Sequence, residues 1–185
     1  MIKKQIILPT VALFIICLVA TTLLAFANNI TAPKIEQIAK ETEINSRKEV
    51  FSVAENFEDK DLDNLKYAVA LDKGGNEIGY IFTTTAKSYG GDILVMTGVD
   101  CEGKVTGVNL LSINDTAGLG MKATGKDFRD QFVGLFKDIV VQKNSSNHDN
   151  NEITALTGAT ITSNAVTKAV NEALANYELV NGGAN

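Results

Sequence analysis

Hydrophobic and polar positions divide this chain into an apolar N-terminal stretch and a longer part in which the two kinds of residue alternate. No charged residue lies between Lys4 and Lys34, and Ile6–Ala27 is apolar throughout most of its length. Such a run crosses a bilayer core of about 30 Å as one helix. The pattern therefore predicts a transmembrane helix over residues 5–27.

The flanking residues of this stretch predict its orientation. Lys3 and Lys4 precede it and uncharged asparagines follow it, so the positive-inside bias places residues 1–4 in the cytoplasm and the rest of the chain outside. The alternative is a secretory signal peptide cleaved after Ala25-Phe26-Ala27, which has the small-x-small form. In both cases the remainder of the chain is exported.

Residues 28–66 form a predicted connector. Apolar residues recur at roughly helical spacing from Pro33 to Val50, which predicts an amphipathic helix that begins at the proline. Ser52–Lys66 is more polar and has no clear period. We expect this connector to pack on the domain that follows it.

Four β-rich runs come next, and each pair is joined by a turn-forming sequence. Because short polar turns join antiparallel neighbours, two hairpins and a central antiparallel sheet are expected. The predicted strands are Tyr67–Asp72, Glu77–Thr84, Asp92–Val99 and Val105–Ser112.

The remaining elements are predicted helices and one short strand. Asp127–Phe136 has apolar residues on one helical face, Ile139–Gln142 is a short strand, and the segment after Thr162 has a continuous apolar stripe of helical period. Strands in a run with helices at the ends indicate an α+β fold. Residues 67–185 are therefore predicted to form one domain with an antiparallel sheet flanked by helices.

Composition narrows the chemistry that this domain can perform. The net charge is -5 and no basic block is present, which argues against a nucleic-acid partner. The chain has one histidine and two cysteines far apart in sequence, Cys17 and Cys101. This set predicts no transition-metal site and no disulfide framework. No constellation of catalytic side chains stands out.

The most informative stretch is a hydroxyl-rich turn that runs into the last predicted helix. It reads Thr157-Gly158-Ala159-Thr160-Ile161-Thr162-Ser163. A helix N-terminus with free backbone N–H groups suits a phosphate. Ordinary helix capping by Thr162 or Ser163 explains the same pattern without a ligand.

This stretch resembles the Ser/Thr-Gly-Ala-Thr flavinylation motif of the FMN-binding domain found in the G subunit of the Rnf complex and in the C subunit of the sodium-translocating NADH:quinone reductase. In that family the last threonine of the motif receives FMN from FAD as a phosphoester, through a flavin transferase. The resemblance implies that Thr160 is the acceptor, with Thr157, Gly158, Ala159 and Thr162 beside it.

Two further stretches are similar to the same family. Asp115-Thr116-Ala117-Gly118-Leu119-Gly120-Met121-Lys122 resembles its Glu-Thr-Pro-Gly-Leu-Gly loop, and Ser88-Tyr89-Gly90-Gly91-Asp92-Ile93 resembles its Gly-rich entry into a central strand. The resemblance implies flavin contacts from Gly118, Leu119, Gly120 and Lys122. Two glycines that only shape a turn are the alternative. The short chain favours the Rnf subunit over the quinone-reductase subunit.

The resemblance implies an electron-transfer subunit that is not catalytic alone, in an ion-translocating ferredoxin:NAD oxidoreductase complex of the plasma membrane. Its implied partners are the other subunits, the flavin transferase and the membrane. A departure is Thr154, which stands where the family has an acidic residue. A stand-alone exported FMN carrier and a flavin-less binding module of the same fold are the alternatives.

Overall fold

The structure is a computed structural model that describes residues 2–62, 65–144 and 146–182. It divides into two compact units, Met1–Thr42 and Glu43–Asn185. Helix α1 spans Ile2–Val50. Most of this helix forms the first unit, and its last two turns belong to the second. The predicted cytoplasmic segment 1–4 lies partly outside the described residues, because Met1 is not among them.

In the first unit, α1 presents exposed apolar side chains from Ile7 onward. By length and composition, this helix can cross a membrane. Helix α1 also continues through Pro33, whereas the sequence pattern predicted a separate helix starting there. A proline inside a helix removes one backbone hydrogen bond, and here the helical turns on both sides continue despite that loss.

The second unit is built on a five-stranded antiparallel sheet in which each strand pairs with the next one along the chain. This confirms the predicted α+β class and the central antiparallel sheet. The strands are β1 Asn56–Leu62, β2 Leu65–Leu71, β3 Glu77–Lys87, β4 Asp92–Asp100 and β5 Val105–Ser112.

Strand β1 was not predicted, and residues 28–66 therefore do not form one helical connector. It pairs with β2 from Asn56 opposite Leu71 to Leu62 opposite Leu65. Most of its side chains are exposed. An edge strand with charges on both faces has no apolar alternation, and such charges protect an edge from pairing with other chains.

The C-terminal part contains the elements that surround the site. Helix α2 is only Lys126–Arg129, and a 3-10 turn follows it at Asp130–Phe132, whereas one helix over 127–136 was predicted. The backbone is extended at Val133, with a ψ of 128°, and Gly134 follows with a φ of 82°, so the helical path ends after Phe132. Strand β6 Val140–Gln142 pairs in parallel with β7 Glu152–Thr154. Helix α3 spans Thr160–Gly182, so it begins before Thr162.

One face of the sheet is covered by α3. The predicted apolar stripe is buried there, with Val166, Ala169, Val170 and Ala173 fully shielded from solvent. The hydroxyl of Thr84 on β3 donates a hydrogen bond of 2.8 Å to the carbonyl oxygen of Ala169. This contact fixes α3 along the sheet, and its first turn is thereby held at one end of the sheet.

The opposite face of the sheet receives the end of α1. Val50 and Phe51 are 1% and 2% exposed and pack with apolar residues of β2, β3 and β4. Gly107 lies directly beneath this segment, since a Cβ at that position would come within 2.8 Å of the Val50 Cα atom. Both faces of the sheet are thus buried in the second unit.

Candidate functional site

A surface cleft of about 310 Å³ lies where three chain segments meet. The segments are the turn between β3 and β4, the loop after β5, and the start of α3. Its volume is at the lower end of the roughly 300–1,000 Å³ typical of ligand sites. The cleft is lined by Tyr89, Asp115, Thr116, Leu119, Gly120, Gly158, Ala159, Thr160, Ile161 and Thr162.

The start of α3 is built by local hydrogen bonds. Gly158 has a φ of 75°, a left-handed conformation that glycine adopts without steric cost, and it turns the chain into the helix. The Ser163 hydroxyl donates to the carbonyl oxygen of Ala159 at 3.0 Å and accepts from the backbone N–H of Leu156 at 2.9 Å. These bonds fix the residues on both sides of Thr160.

Thr160 is the first residue of α3, and it lies in the cleft with its side chain partly exposed. The first backbone N–H groups of a helix have no partner within the helix, and they carry the positive end of its dipole. A phosphate group at this position would find both hydrogen-bond donors and a favourable field.

Asp115 is the polar centre of the cleft, and its side chain is buried, at 7% exposure. Its Oδ2 atom accepts hydrogen bonds from the hydroxyls of Ser88 and Thr162, each at 2.5 Å, and its Oδ1 atom accepts from the backbone N–H of Gly90 at 2.6 Å. We call these four residues the Asp115 network. It joins all three segments of the cleft.

The charge of Asp115 follows from these contacts. Burial raises the pKa of its carboxyl group, whereas the hydrogen bonds from Ser88, Thr162 and Gly90 lower it, and the net result is a pKa below the usual range for aspartate. Donated hydrogen bonds stabilise the ionised form of a carboxylate. Asp115 is therefore an anion at neutral pH.

The loop that contains Gly118 and Gly120 uses its two glycines differently. Gly118 has a φ of 77° and open space around it, so it serves the shape of the backbone. Gly120 packs against the network, since a Cβ there would come within 2.6 Å of the Thr162 hydroxyl and of the Asp115 Cβ atom. Any side chain at position 120 would displace this network.

Apolar side chains are exposed around the cleft. Tyr89 is 73%, Ile161 56% and Leu119 44% exposed, and all three contribute to its lining. Exposed large apolar groups beside a polar centre suit a ligand that combines an apolar ring with a charged group. FMN has this composition, because a planar isoalloxazine ring is joined to a phosphate.

The cleft brings together six of the nine residues implied by the sequence, namely Thr160, Gly158, Ala159, Thr162, Leu119 and Gly120. Gly118 belongs to the same loop. Thr157 and Lys122 are exposed and are not among the cleft-lining residues of the described chain.

Sequence reasoning did not select Asp115, Tyr89, Thr116 or Ile161 as site residues. All four lie inside or next to the three motifs, and that proximity was the available signal.

Comparison with known proteins agrees with this geometry. Residues 88–175 match the FMN-binding domain family, a range that contains every lining residue of the cleft. The fold is similar to the crystal structure of NqrC from Shewanella oneidensis, with a TM-score of 0.51, 16% identity and 66% of each chain covered.

Two relatives match almost the full chain. The G subunit of the Na⁺-translocating ferredoxin:NAD⁺ oxidoreductase complex of Acetobacterium woodii is 36% identical over 90% of this chain and 88% of that protein. The G subunit of the proton-translocating ferredoxin:NAD⁺ oxidoreductase complex of Clostridium ljungdahlii is also 36% identical, over 92% of this chain and 91% of that protein. The chain therefore belongs to the G-subunit family of ion-translocating ferredoxin:NAD⁺ oxidoreductase (Rnf) complexes.

Proposed function

We propose that this chain is a membrane-anchored electron-transfer subunit that carries FMN as a phosphoester on Thr160. The observation that supports it most directly is the contrast between two threonines of one helical turn. Thr160 lies partly exposed in the cleft. Thr162 is 2% exposed and its hydroxyl donates to Asp115. Of the two, Thr160 is the hydroxyl that a transferase can reach.

Attachment is a group transfer without electron transfer. The Thr160 hydroxyl oxygen forms a bond to the FMN-side phosphorus of FAD, the pyrophosphate bond breaks, AMP leaves and the hydroxyl proton is released. A flavin transferase catalyses this step. The resulting phosphate would lie at the N-terminus of α3, where the backbone N–H groups of the first turn favour an anion.

The redox role follows from the cofactor and the family. Bound FMN supplies electron transfer that no side chain of the protein provides. The relatives are named as subunits of complexes that act on ferredoxin and NAD⁺, and we propose the same complex type for this chain. The exposed rim of Tyr89, Leu119 and Ile161 leaves one side of the cleft open to neighbouring subunits.

The apolar part of α1 would hold this domain at the membrane. Lys3 and Lys4 precede it, and the positive-inside rule then places the FMN domain on the extracytoplasmic side. Covalent attachment retains the cofactor there, because a tethered group rebinds as an intramolecular partner at high effective concentration.

The test is labelling of the full chain co-expressed with a flavin transferase. Thr160→Ala is expected to abolish flavin fluorescence in a denaturing gel, because no other exposed hydroxyl occupies the start of α3 in the described residues. Thr157→Ala is the matched control, since Thr157 is an exposed threonine of the same motif and its loss is expected to lower labelling only in part. Thermal unfolding checks that both variants fold.

The peptide mass identifies the position of the label. An FMN adduct on the peptide that contains Thr160 supports the proposal, as does its loss in Thr160→Ala. Wild-type protein without an adduct, purified beside a transferase that labels a known substrate, would favour the flavin-less binding module. Labelled protein that fails to copurify with other membrane subunits from its host would favour the stand-alone carrier.

A further inference from the structure

The Asp115 network reaches the proposed acceptor from outside its own helix. Asp115 belongs to the loop after β5, and its Oδ2 atom accepts from Thr162 in the first turn of α3 at 2.5 Å. Thr162 is two residues from Thr160, inside the same helical turn. The carboxylate therefore holds the turn that presents the acceptor hydroxyl.

We propose that Asp115 is the positioning residue for flavin attachment: its carboxylate fixes the first turn of α3 so that the Thr160 hydroxyl is presented in the cleft. This inference rests on the proposed attachment of FMN at Thr160. It assigns to Asp115 an effect on the rate of attachment that is separate from its contribution to folding.

The ends of helices fray. The first turn of a helix has few internal hydrogen bonds, and each residue turns the helix by about 100°. Fixing the Thr162 side chain therefore fixes the direction of Thr160 as well. The Asp115 bond restrains Thr162 from one side of the turn, and the Ser163 bonds to Ala159 and Leu156 restrain its other side.

The Asp115 network is arranged for a carboxylate. Ser88, Gly90 and Thr162 all donate to Asp115, and an ionised carboxylate only accepts. An asparagine of the same shape would present its NH₂ group either to the backbone N–H of Gly90, which cannot accept, or to the Ser88 and Thr162 hydroxyls, which would have to turn from donors into acceptors. In both arrangements the site loses hydrogen bonds to a charged group, which are stronger than those to a neutral one.

The Asp115 network shapes the cleft on both sides. Asp115 binds the β3–β4 turn through Gly90, and a Cβ on Gly90 would come within 2.1 Å of the Asn114 carbonyl oxygen. The turn that carries Tyr89 is thus packed tightly against the loop that carries Asp115. Release of the carboxylate would loosen the Tyr89 side and the Thr160 side together.

If Asp115 acted only through its charge, the opposite change in the rate of attachment would be expected. Asp115 carries a negative charge in the same cleft as the proposed phosphate, and like charges repel. If repulsion were its main effect, removal of the charge would speed attachment. The positioning role predicts that the same change slows it, so the direction of the rate change separates the two views.

The experiment measures the initial rate of flavin attachment to purified, unlabelled full-length chain in detergent, with FAD and a flavin transferase. Asp115→Asn is expected to slow attachment about tenfold or more, because small misplacements of a reacting group have effects of this size. Asp115→Glu is expected to recover part of the rate by restoring the carboxylate. Asp130→Asn is the matched control, since Asp130 is exposed and lies outside the cleft.

A second pair of variants tests the same bond from the helix side. Thr162→Val removes the donor and is expected to slow attachment, whereas Thr162→Ser keeps the hydroxyl and is expected to preserve most of the rate. This pair leaves the carboxylate in place, so its rates still test the bond if Asp115→Asn lowers stability. Each rate is compared with the melting temperature of the same variant.

The outcomes separate this inference from the proposed function. Absence of label on the wild-type chain, or full labelling of Thr160→Ala, contradicts the attachment site itself. Wild-type labelling with an unchanged or faster rate in folded Asp115→Asn overturns the positioning role and leaves the attachment site standing. Slower attachment in folded Asp115→Asn and Thr162→Val, with recovery in Asp115→Glu and Thr162→Ser, supports it.

Discussion

The second unit contains two regions that differ in what their glycines do. Beneath the end of α1, Gly98 and Gly107 are required for space, because a Cβ would come within 2.7 Å of the Val50 carbonyl oxygen at the first and 2.8 Å of the Val50 Cα atom at the second. In the cleft, Gly120 is also needed for space, but Gly118 and Gly158 have φ values of 77° and 75°. Their surroundings are open or contain one flexible side chain, so they are required for backbone shape.

The polar contacts of the two regions also differ. Near the end of α1, ion pairs join Arg129 to Glu49 at 2.8 Å and Arg47 to Asp59 at 2.7 Å. In the cleft, Asp115 is held by uncharged donors. The first region therefore stabilises the fold by packing and charge pairing. The second region, the cleft, uses hydrogen bonds to hold a small number of groups in a defined orientation.

This difference separates stability from function in the molecule. Substitutions under α1 are expected to act on the fold as a whole, and the cleft is affected only because it unfolds with the rest. Substitutions in the cleft are expected to change flavin attachment more than they change the melting temperature. Variants in both regions can test that separation.

The largest effect is expected from Gly107→Ala. Its Cβ would approach the backbone of Val50 rather than a movable side chain, so the end of α1 has to shift away from the sheet. Overpacking a buried site costs up to about 3 kcal/mol. We expect the free energy of unfolding, measured with denaturant on the full chain in detergent, to fall by roughly this amount.

Gly182→Ala is the control for this substitution. Nothing lies within 4 Å of a Cβ at that position, and alanine is a better helix former than glycine. Its stability is expected to be unchanged or slightly higher. An equal loss of stability in both variants would contradict the view that the end of α1 is packed against Gly107.

A smaller effect, with a distinctive pH dependence, is expected from Asp115→Asn. The pKa of Asp115 is lowered in the folded protein, so its carboxylate stabilises the fold above the ordinary pKa of aspartate, near 3.9. That contribution is lost as the pH falls through the lower folded pKa. Loss of charged hydrogen bonds at this site costs about 2 kcal/mol at neutral pH.

The measurement is the difference in unfolding free energy between wild type and Asp115→Asn at several pH values. The difference is expected to be constant from pH 7 to about pH 5 and to shrink below about pH 4. Other carboxylates titrate in both proteins and cancel in the difference. A difference that stays the same down to about pH 3 would show that Asp115 is not held ionised by its network.

The sequence predicted those parts of the fold whose apolar period is strong. The four strands β2 to β5 and the stripe on α3 alternate or repeat clearly, and they were found. Strand β1 was missed because charged residues such as Glu58, Asp59 and Lys60 occupy an exposed edge. The predicted helix over 127–136 ends after Phe132, because Val133 is extended and Gly134 takes a left-handed conformation, which local apolar spacing does not reveal.

For the site, the sequence identified segments but not their contacts. The motifs at Ser88–Ile93, Asp115–Lys122 and Thr157–Ser163 were recognised, and they meet in one cleft. The bond from Thr162 to Asp115 joins residues 47 positions apart, and no local pattern predicts such a pair. The resemblance named Thr160 as the acceptor, but the sequence did not reveal that Thr162 is buried against Asp115.

The smallest change in stability, with a clear functional contrast, is expected from Gly158→Ala compared with Gly75→Ala. Both glycines have left-handed backbone, with φ values of 75° and 78°. Alanine in that conformation costs about 1 kcal/mol. Both variants are therefore expected to lose a similar, small amount of stability in thermal unfolding.

Only Gly158→Ala is expected to slow flavin attachment to the full chain. Gly75 lies in the β2–β3 turn, where its N–H donates to the Asp72 carbonyl oxygen, whereas Gly158 lines the cleft and its added Cβ would lie 3.2 Å from the Leu119 side chain. Leu119 can rotate away, but the turn that leads into Thr160 would still relax toward negative φ and move the acceptor hydroxyl. Equal attachment rates in the two variants would mean that the shape of this turn does not control access to Thr160. Backbone strain of the same size would then have the same effect at Gly158 and at Gly75. The distinction between a region built for stability and one built for orientation would not hold at Gly158.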